Sequence, residues 1–383
     1  MEDSALASAF ALLASAVVPP PAESRASAQH WPALDGLRCV AVAVVFLIHL
    51  PMRTWQGGFI GVDIFFTLSG FLITTVLLND ARRGGIRITR FYERRIVRLY
   101  PALLIGLVIA LGAVHHLHKS KHDFVWDAVT SIFFVYNIRY VLQPQVYTAV
   151  GQYWSLSVEE QFYIVWAPLL KLAHGRIGLG VRALKLGLAL LAALVVTQLV
   201  VGLLVTTSSI PYYYYLFPPH ADELMLGALV AIAHHNGLLG GRIATVLRSP
   251  LAPAACLAGL LAFCWRLPAR TDRWLLAGGW FLFACMAAIV IMHCTSGASG
   301  PVVRLLDLAP MRWIGRRSYA IYIFHLAFIH VARNHYGKHA LSVGLSAGAA
   351  TLIAAGLSWH FVEAPLLRWR DRRAPAPSSV AST

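Results

Sequence analysis

The chain has 383 residues, of which 58% are hydrophobic and only 13% charged, with a mean hydropathy of +0.64. The charged share is about half that of a soluble globular protein, and so much apolar surface exceeds what a water-facing fold buries. Disorder is excluded on the same ground, and five cysteines without a CxxC pair (Cys39, Cys256, Cys264, Cys285, Cys294) exclude a disulfide scaffold.

The net charge of +15 points to the Lys/Arg bias of cytoplasmic loops rather than to a nucleic-acid partner. Residues 1–30 read as a loosely ordered extension. Their apolar run 4–18 follows an acidic Met-Glu-Asp start, whereas a signal peptide needs a basic one. Apolar segments of near-spanning length follow at about 36–51, 58–79, 99–114, 158–173, 184–206, 221–235, 250–266, 274–294, 314–332 and 341–362. A weaker segment, 124–141, carries Asp127, Asn137 and Arg139.

Placing the arginine-rich loop 80–98 in the cytoplasm divides the 32 Lys and Arg into 22 inside, 9 outside and Arg38 within the first span. A full crossing at 124–141 would move the basic loop 171–185 outside, so that segment is predicted to be re-entrant or interfacial. The expected fold is therefore all-α, a polytopic transmembrane helical bundle. It has about ten spans plus the one re-entrant or interfacial segment, with both termini cytoplasmic. The membrane domain covers 31–370 and a disordered tail 371–383. The expected location is the cytoplasmic (inner) membrane, as a multi-pass protein.

Ionisable residues within spans are costly and mark function by default. Arg38 and His49 of the first span are eleven residues apart, which puts them on one helical face about 16 Å apart along the axis. Asp63, near the outer end of the second span, lies at a depth similar to His49, where a carboxylate would orient the imidazole as a general base. Ser69 and Gly70 read as close-packing positions. Arg94, Arg95 and Arg98 share a helical face, and guanidiniums suit bidentate phosphate binding. Glu159 and Glu160 open an apolar helix and point about 100° apart, so one of them is expected to face the bundle. The tyrosines of PYYYYLFPP read as an interfacial belt before Asp222 and Glu223. His325 falls mid-membrane, and Glu363 is expected to pair with Arg368 or Arg370. The dense histidine group at 115, 116, 118 and 122 has no carboxylate shell beyond Asp123, so no metal is implied.

Six strings carry a resemblance: LDGLR…H at 34–49, GVDIFFTLSGFLI at 61–73, RFYERRIVRLYP at 90–101, WSLSVEEQFY at 154–163, and the weaker IGRRSYAIYIFH at 314–325 and HFVEAPL at 360–366. In this order they resemble the membrane-bound acyltransferase 3 family of O-acyltransferases. The resemblance implies transfer of an acyl group, most often acetyl, from acyl-coenzyme A to a hydroxyl. The acceptor would be a cell-surface polysaccharide or other glycan, or a macrolide-type antibiotic. It implies His49, Asp63 and Glu159 as catalytic residues and Arg38, Arg94, Arg95 and Arg98 as the coenzyme A site. Some members carry a fused extracytoplasmic hydrolase-like domain. This chain ends about ten residues after its last basic cluster, so the expectation is the standalone form. A proton-coupled transporter is the alternative for a bundle with buried charges. The absence of an internal repeat and the concentration of charge in the first half favour the enzyme.

Overall fold

A helix that begins at Ile60 and is buried along most of its length forms the centre of the molecule. The computed structural model describes residues 30–143, 149–204, 209–266 and 272–373. The predicted extension, apart from His30, and the tail beyond Arg373 lie outside the described residues. Asp371–Arg373, placed by the sequence in the disordered tail, instead complete the last helix.

Among the described residues every regular element is helical. In chain order these are α1 (Pro32–Ile48), α2 (Ile60–Arg82), α3 (Ile88–His116), α4 (Lys121–Ile132), α5 (Tyr136–Leu142) and α6 (Trp154–Arg176). There follow α7 (Val181–Leu204), α8 (Ile210–Tyr214), α9 (Ala221–His235), α10 (Gly241–Arg248), α11 (Leu251–Arg266) and α12 (Trp280–Thr295). The last are α13 (Pro301–Leu306), α14 (Ala309–Arg316), α15 (Ser318–Tyr336), α16 (Ala340–Ser358) and α17 (Ala364–Arg373). Five helical stretches are long and apolar enough to cross a membrane: Gln56–Arg82, Ile88–His116, Val181–Leu204, Leu275–Thr295 and Ala340–Arg372.

The central helix α2 packs on α1, α6, α9 and α12, most extensively on α9. That closeness needs glycine on both sides. A Cβ on Gly70 would collide with the Leu224 carbonyl, and one on Gly227 with the Thr67 carbonyl. Trp166 adds a polar tie from α6, its Nε1 donating to the Thr74 hydroxyl at 2.8 Å.

The weak segment resolves into two short helices, α4 of 12 residues and α5 of 7, broken where Phe134 takes a positive φ of 54°. Neither reaches the roughly 20 residues a crossing requires. Asp127 and Arg139, the charges that weakened its apolar pattern, pair with each other at 2.7 Å. Glu363 does not pair with Arg368 or Arg370. A π-helical turn over Trp359–Glu363 rolls it inward, where its carboxylate accepts the Ser358 hydroxyl at 2.7 Å, and Arg370 pairs with Asp371. The tyrosine run is also less superficial than a belt: Tyr214 is buried against Trp154 and Trp280.

Candidate active site

Helices α1, α2, α3, α6 and α15 enclose a cavity of about 140 Å³. Its polar lining includes Arg38, Arg95, Arg98, Glu159, Ser69 and Tyr163. The helical spacing that aligns Arg95 with Arg98 turns both toward this space. Arg94, about 100° round the helix from Arg95, points away and is held in an ion pair with Asp80.

The charges are arranged by pairing. The Arg95 guanidinium donates to Glu160, with Nε 3.1 Å from Oε1, and lies 3.8 Å above the Tyr163 ring. Arg38 sits 3.6 Å from Asp35, which also takes Arg316 at 3.2 Å. Glu159 faces the cavity and accepts hydroxyls from Ser69 and, at 2.6 Å, from Tyr163. Arg98 makes no side-chain hydrogen bond or ion pair among the described residues and stays accessible to solvent. The cluster has four guanidiniums against three carboxylates, which leaves one positive charge in excess.

His49 lies in a second cavity of about 300 Å³, together with Gln152, Trp154, Tyr215 and His330. Val62 of α2 lines both spaces. The His49 Nδ1 is 2.7 Å from the Val45 carbonyl, and that oxygen can only accept, so Nδ1 carries the proton and Nε2 is the basic nitrogen. The His325 Nδ1 lies 2.6 Å from the Tyr322 carbonyl, which by the same logic leaves its Nε2 an acceptor, 3.4 Å from the His49 Nδ1. The two imidazoles therefore share one consistent tautomer pattern, assigned from the acceptors around them. Tyr322 also reaches the first cavity, where its hydroxyl meets Ser155 at 2.6 Å.

The structure thus gathers Arg38, Arg95, Arg98 and Glu159 in one cavity and places His49 in the next. It does not bring Asp63 or Arg94 to either. Asp63 is fully buried, turned from the cavity-lining face of α2 and beside His220 and Glu223. Tyr322, Tyr163 and Ser69 line the first cavity and His325 backs His49; none was among the predicted site residues. A signal for them existed. Tyr319, Tyr322 and His325 recur every three residues, and Glu159 and Tyr163 stand four apart, so each set shares a helical face.

Residues 31–360 match the family described as an acyltransferase domain. The chain is 31% identical over 357 residues to YrhL of Bacillus subtilis, provisionally named a peptidoglycan O-acetyltransferase. The match covers 88% of this chain and 55% of that protein. It is 29% identical over 361 residues to the peptidoglycan O-acetyltransferase OatA of Listeria monocytogenes, covering 90% of this chain and 57% of OatA. A Staphylococcus aureus protein provisionally named an O-acetyltransferase is 28% identical, over 91% of this chain and 60% of its own length. The chain therefore spans little more than half the length of these relatives. No solved structure shows a significant match. With the family pattern covering most of its length and five of the six sequence strings falling on helices that line the two cavities, the chain belongs to the acyltransferase 3 family.

Proposed function

We propose that this chain is an integral-membrane O-acyltransferase that moves an acetyl group from acetyl-coenzyme A to a hydroxyl of a sugar-containing acceptor, a cell-surface glycan before a macrolide-type antibiotic. The observation that carries the reading is the pair of cavities that meet at Val62, one lined by arginines and the other holding His49 with Nε2 basic. Relatives named for O-acetylation of peptidoglycan support the glycan class.

In this reading the His49 Nε2 takes the proton of the acceptor hydroxyl. The oxygen attacks the thioester carbonyl, the C–S bond breaks, and His49 returns the proton to the departing thiolate. Arg98, Arg38 and Arg95 hold the donor's phosphates. A cavity of 140 Å³ is smaller than the ~300–1,000 Å³ of pockets that enclose whole drug-sized ligands, which suits an extended pantetheine arm with its nucleotide outside. Glu159 keeps the arginines in register through Ser69 and Tyr163. Asp63 and Arg94 take no part in the step.

The proposal includes about ten crossings, cytoplasmic termini, residence in the cytoplasmic membrane and an acyltransferase domain over 31–370. The brevity of α4 and α5 supports a segment that does not cross. The test is purified full-length protein given acetyl-coenzyme A with peptidoglycan fragments, exopolysaccharide oligomers or macrolides. Free thiol and ester are measured together. Both should appear only with an acceptor present, and absence of thiol release with every acceptor would overturn the assignment.

A further inference from the structure

Behind the aromatic walls of the two cavities, and lining neither, Asp63 of α2, Glu223 of α9 and His220 just before α9 meet where no solvent reaches. All three are 0% exposed, and one ligand-type atom from each lies within 4.8 Å of the others. The His220 ring is boxed by Phe66, Trp154, Tyr214 and Trp280. Its Nε2 lies 2.7 Å from the Tyr214 carbonyl, so Nε2 is the donor. In the neutral ring, Nδ1 then presents a lone pair toward Glu223 Oε1, at 3.1 Å.

Neither carboxylate oxygen of Asp63 has a hydrogen-bond partner, and Glu223 Oε2 and the neighbouring Asp222 Oδ2 have none either. No Lys or Arg pairs with any of the three carboxylates among the described residues. Three acids in such surroundings cannot remain ionised without a counter-charge. Protonation would remove the charge but would not satisfy Asp63, whose O–H would still lack an acceptor. A cation resolves both problems.

We propose that Asp63, His220 and Glu223 form a binding site for a divalent transition-metal ion of the Zn²⁺ class, which clamps α2 to α9. One imidazole nitrogen with two carboxylates is a donor set such ions accept, whereas Ca²⁺ and Mg²⁺ take oxygen ligands throughout. Two bonds of about 2.0–2.2 Å bridge the separation of Nδ1 and Oε1 at an angle between square and tetrahedral. The His220 bond to the Tyr214 carbonyl is the outer contact that fixes the tautomer and orientation of a metal-bound histidine. The site lines neither cavity, so its role is structural. It holds the helix whose Val62 lines both cavities and whose Ser69 donates to Glu159. It does not depend on the acyl-transfer reading.

The test is elemental analysis of the full-length protein, purified in detergent through an affinity tag free of histidine. Wild type should carry about one equivalent of metal per chain, and Asp63→Asn and Glu223→Gln should each weaken retention by about tenfold or more. His118→Ala, in the exposed histidine loop, should retain it. Protein grown in metal-depleted medium should gain thermal stability on addition of ZnCl₂, with no gain in the two carboxylate variants. A metal-free wild type that gains nothing from Zn²⁺ or Mn²⁺ would overturn the proposal. So would full metal occupancy in both carboxylate variants, which would place the ion elsewhere. If Asp63→Asn fails to accumulate, the wild-type content and Glu223→Gln still decide the matter.

Discussion

His49 carries its proton on Nδ1 because a backbone carbonyl one turn earlier accepts it, and His325 stands behind that bond. In the proposed step, a base oriented in this way needs no carboxylate partner. His49→Ala should therefore lower transfer by about 10²–10⁴-fold while the protein still inserts and accumulates; thiol release within a few-fold of wild type would remove His49 from the step. The arginines separate by partner. Arg98→Ala should weaken acetyl-coenzyme A binding by roughly tenfold or more, since its guanidinium is not committed within the chain. Arg94→Ala, which only loses Asp80, should leave donor affinity within about twofold. Equal losses in a donor titration would contradict this division. Spacing set Arg38 on the face of His49 and Arg95 on the face of Arg98, because a shared helical face follows from residue number, whereas only the family resemblance singled out Glu159 over Glu160. It could not tell how each helix is rolled against its neighbours. That roll sends Arg94 to Asp80 and turns Asp63 toward His220, although both stand within one or two residues of cavity-lining positions.

At the level of the helix, the contact of α2 with α9 positions both cavities, because α2 supplies the shared wall. It rests on two glycines that each face a backbone carbonyl of the other helix, and a carbonyl cannot rotate away as a side chain can. Gly227→Val should cost about 1–3 kcal/mol or more in stability, read as a lowered Tm of detergent-purified protein and a smaller folded yield. Gly112→Val on α3, where a Cβ meets nothing within 4 Å, should be tolerated. An unchanged Tm for Gly227→Val would mean that the two helices do not pack as closely as described. Each apolar segment read from the sequence coincides with a helix, because hydropathy reports burial in lipid or protein directly. The breaks were not legible. The π-helical turns at Leu275–Gly279 and Trp359–Glu363 carry local marks, Gly278 and Gly279 within the first and Pro365 just after the second, but apolar pattern alone does not turn these into breaks, and the positive φ of Phe134 has no such mark.

For the molecule as a whole, the proposed reaction depends on which face of the membrane each cavity meets. The 29-residue α3 begins within the arginine-rich stretch 80–98, carries its last four arginines, and ends at the His/Lys-rich loop, and it is long and apolar enough to cross. At about 1.5 Å per residue it extends roughly 43 Å, more than the ~30 Å hydrocarbon core. Its first turns therefore have length to spare for carrying Arg95 and Arg98 to the headgroup level on one side. Because Arg38 and His49 stand about 16 Å apart along the axis of α1, donor phosphates bound at the arginines, as proposed, would leave the thioester near the histidine by the length of the arm alone. Coenzyme A is a cytoplasmic metabolite, so the arginine end must face the cytoplasm if it binds this donor. A surface glycan would then meet His49 from the opposite side. Single cysteines at Arg87 and Lys119, in a background lacking the five native cysteines, should label from opposite sides of sealed cells with an impermeant thiol reagent, Lys119→Cys from outside and Arg87→Cys only after lysis. Labelling of both from one side would mean that α3 does not cross. Labelling of Arg87→Cys from outside with Lys119→Cys protected would invert the molecule and place the arginine cavity where no coenzyme A is available, and the assignment of the donor would fall with it.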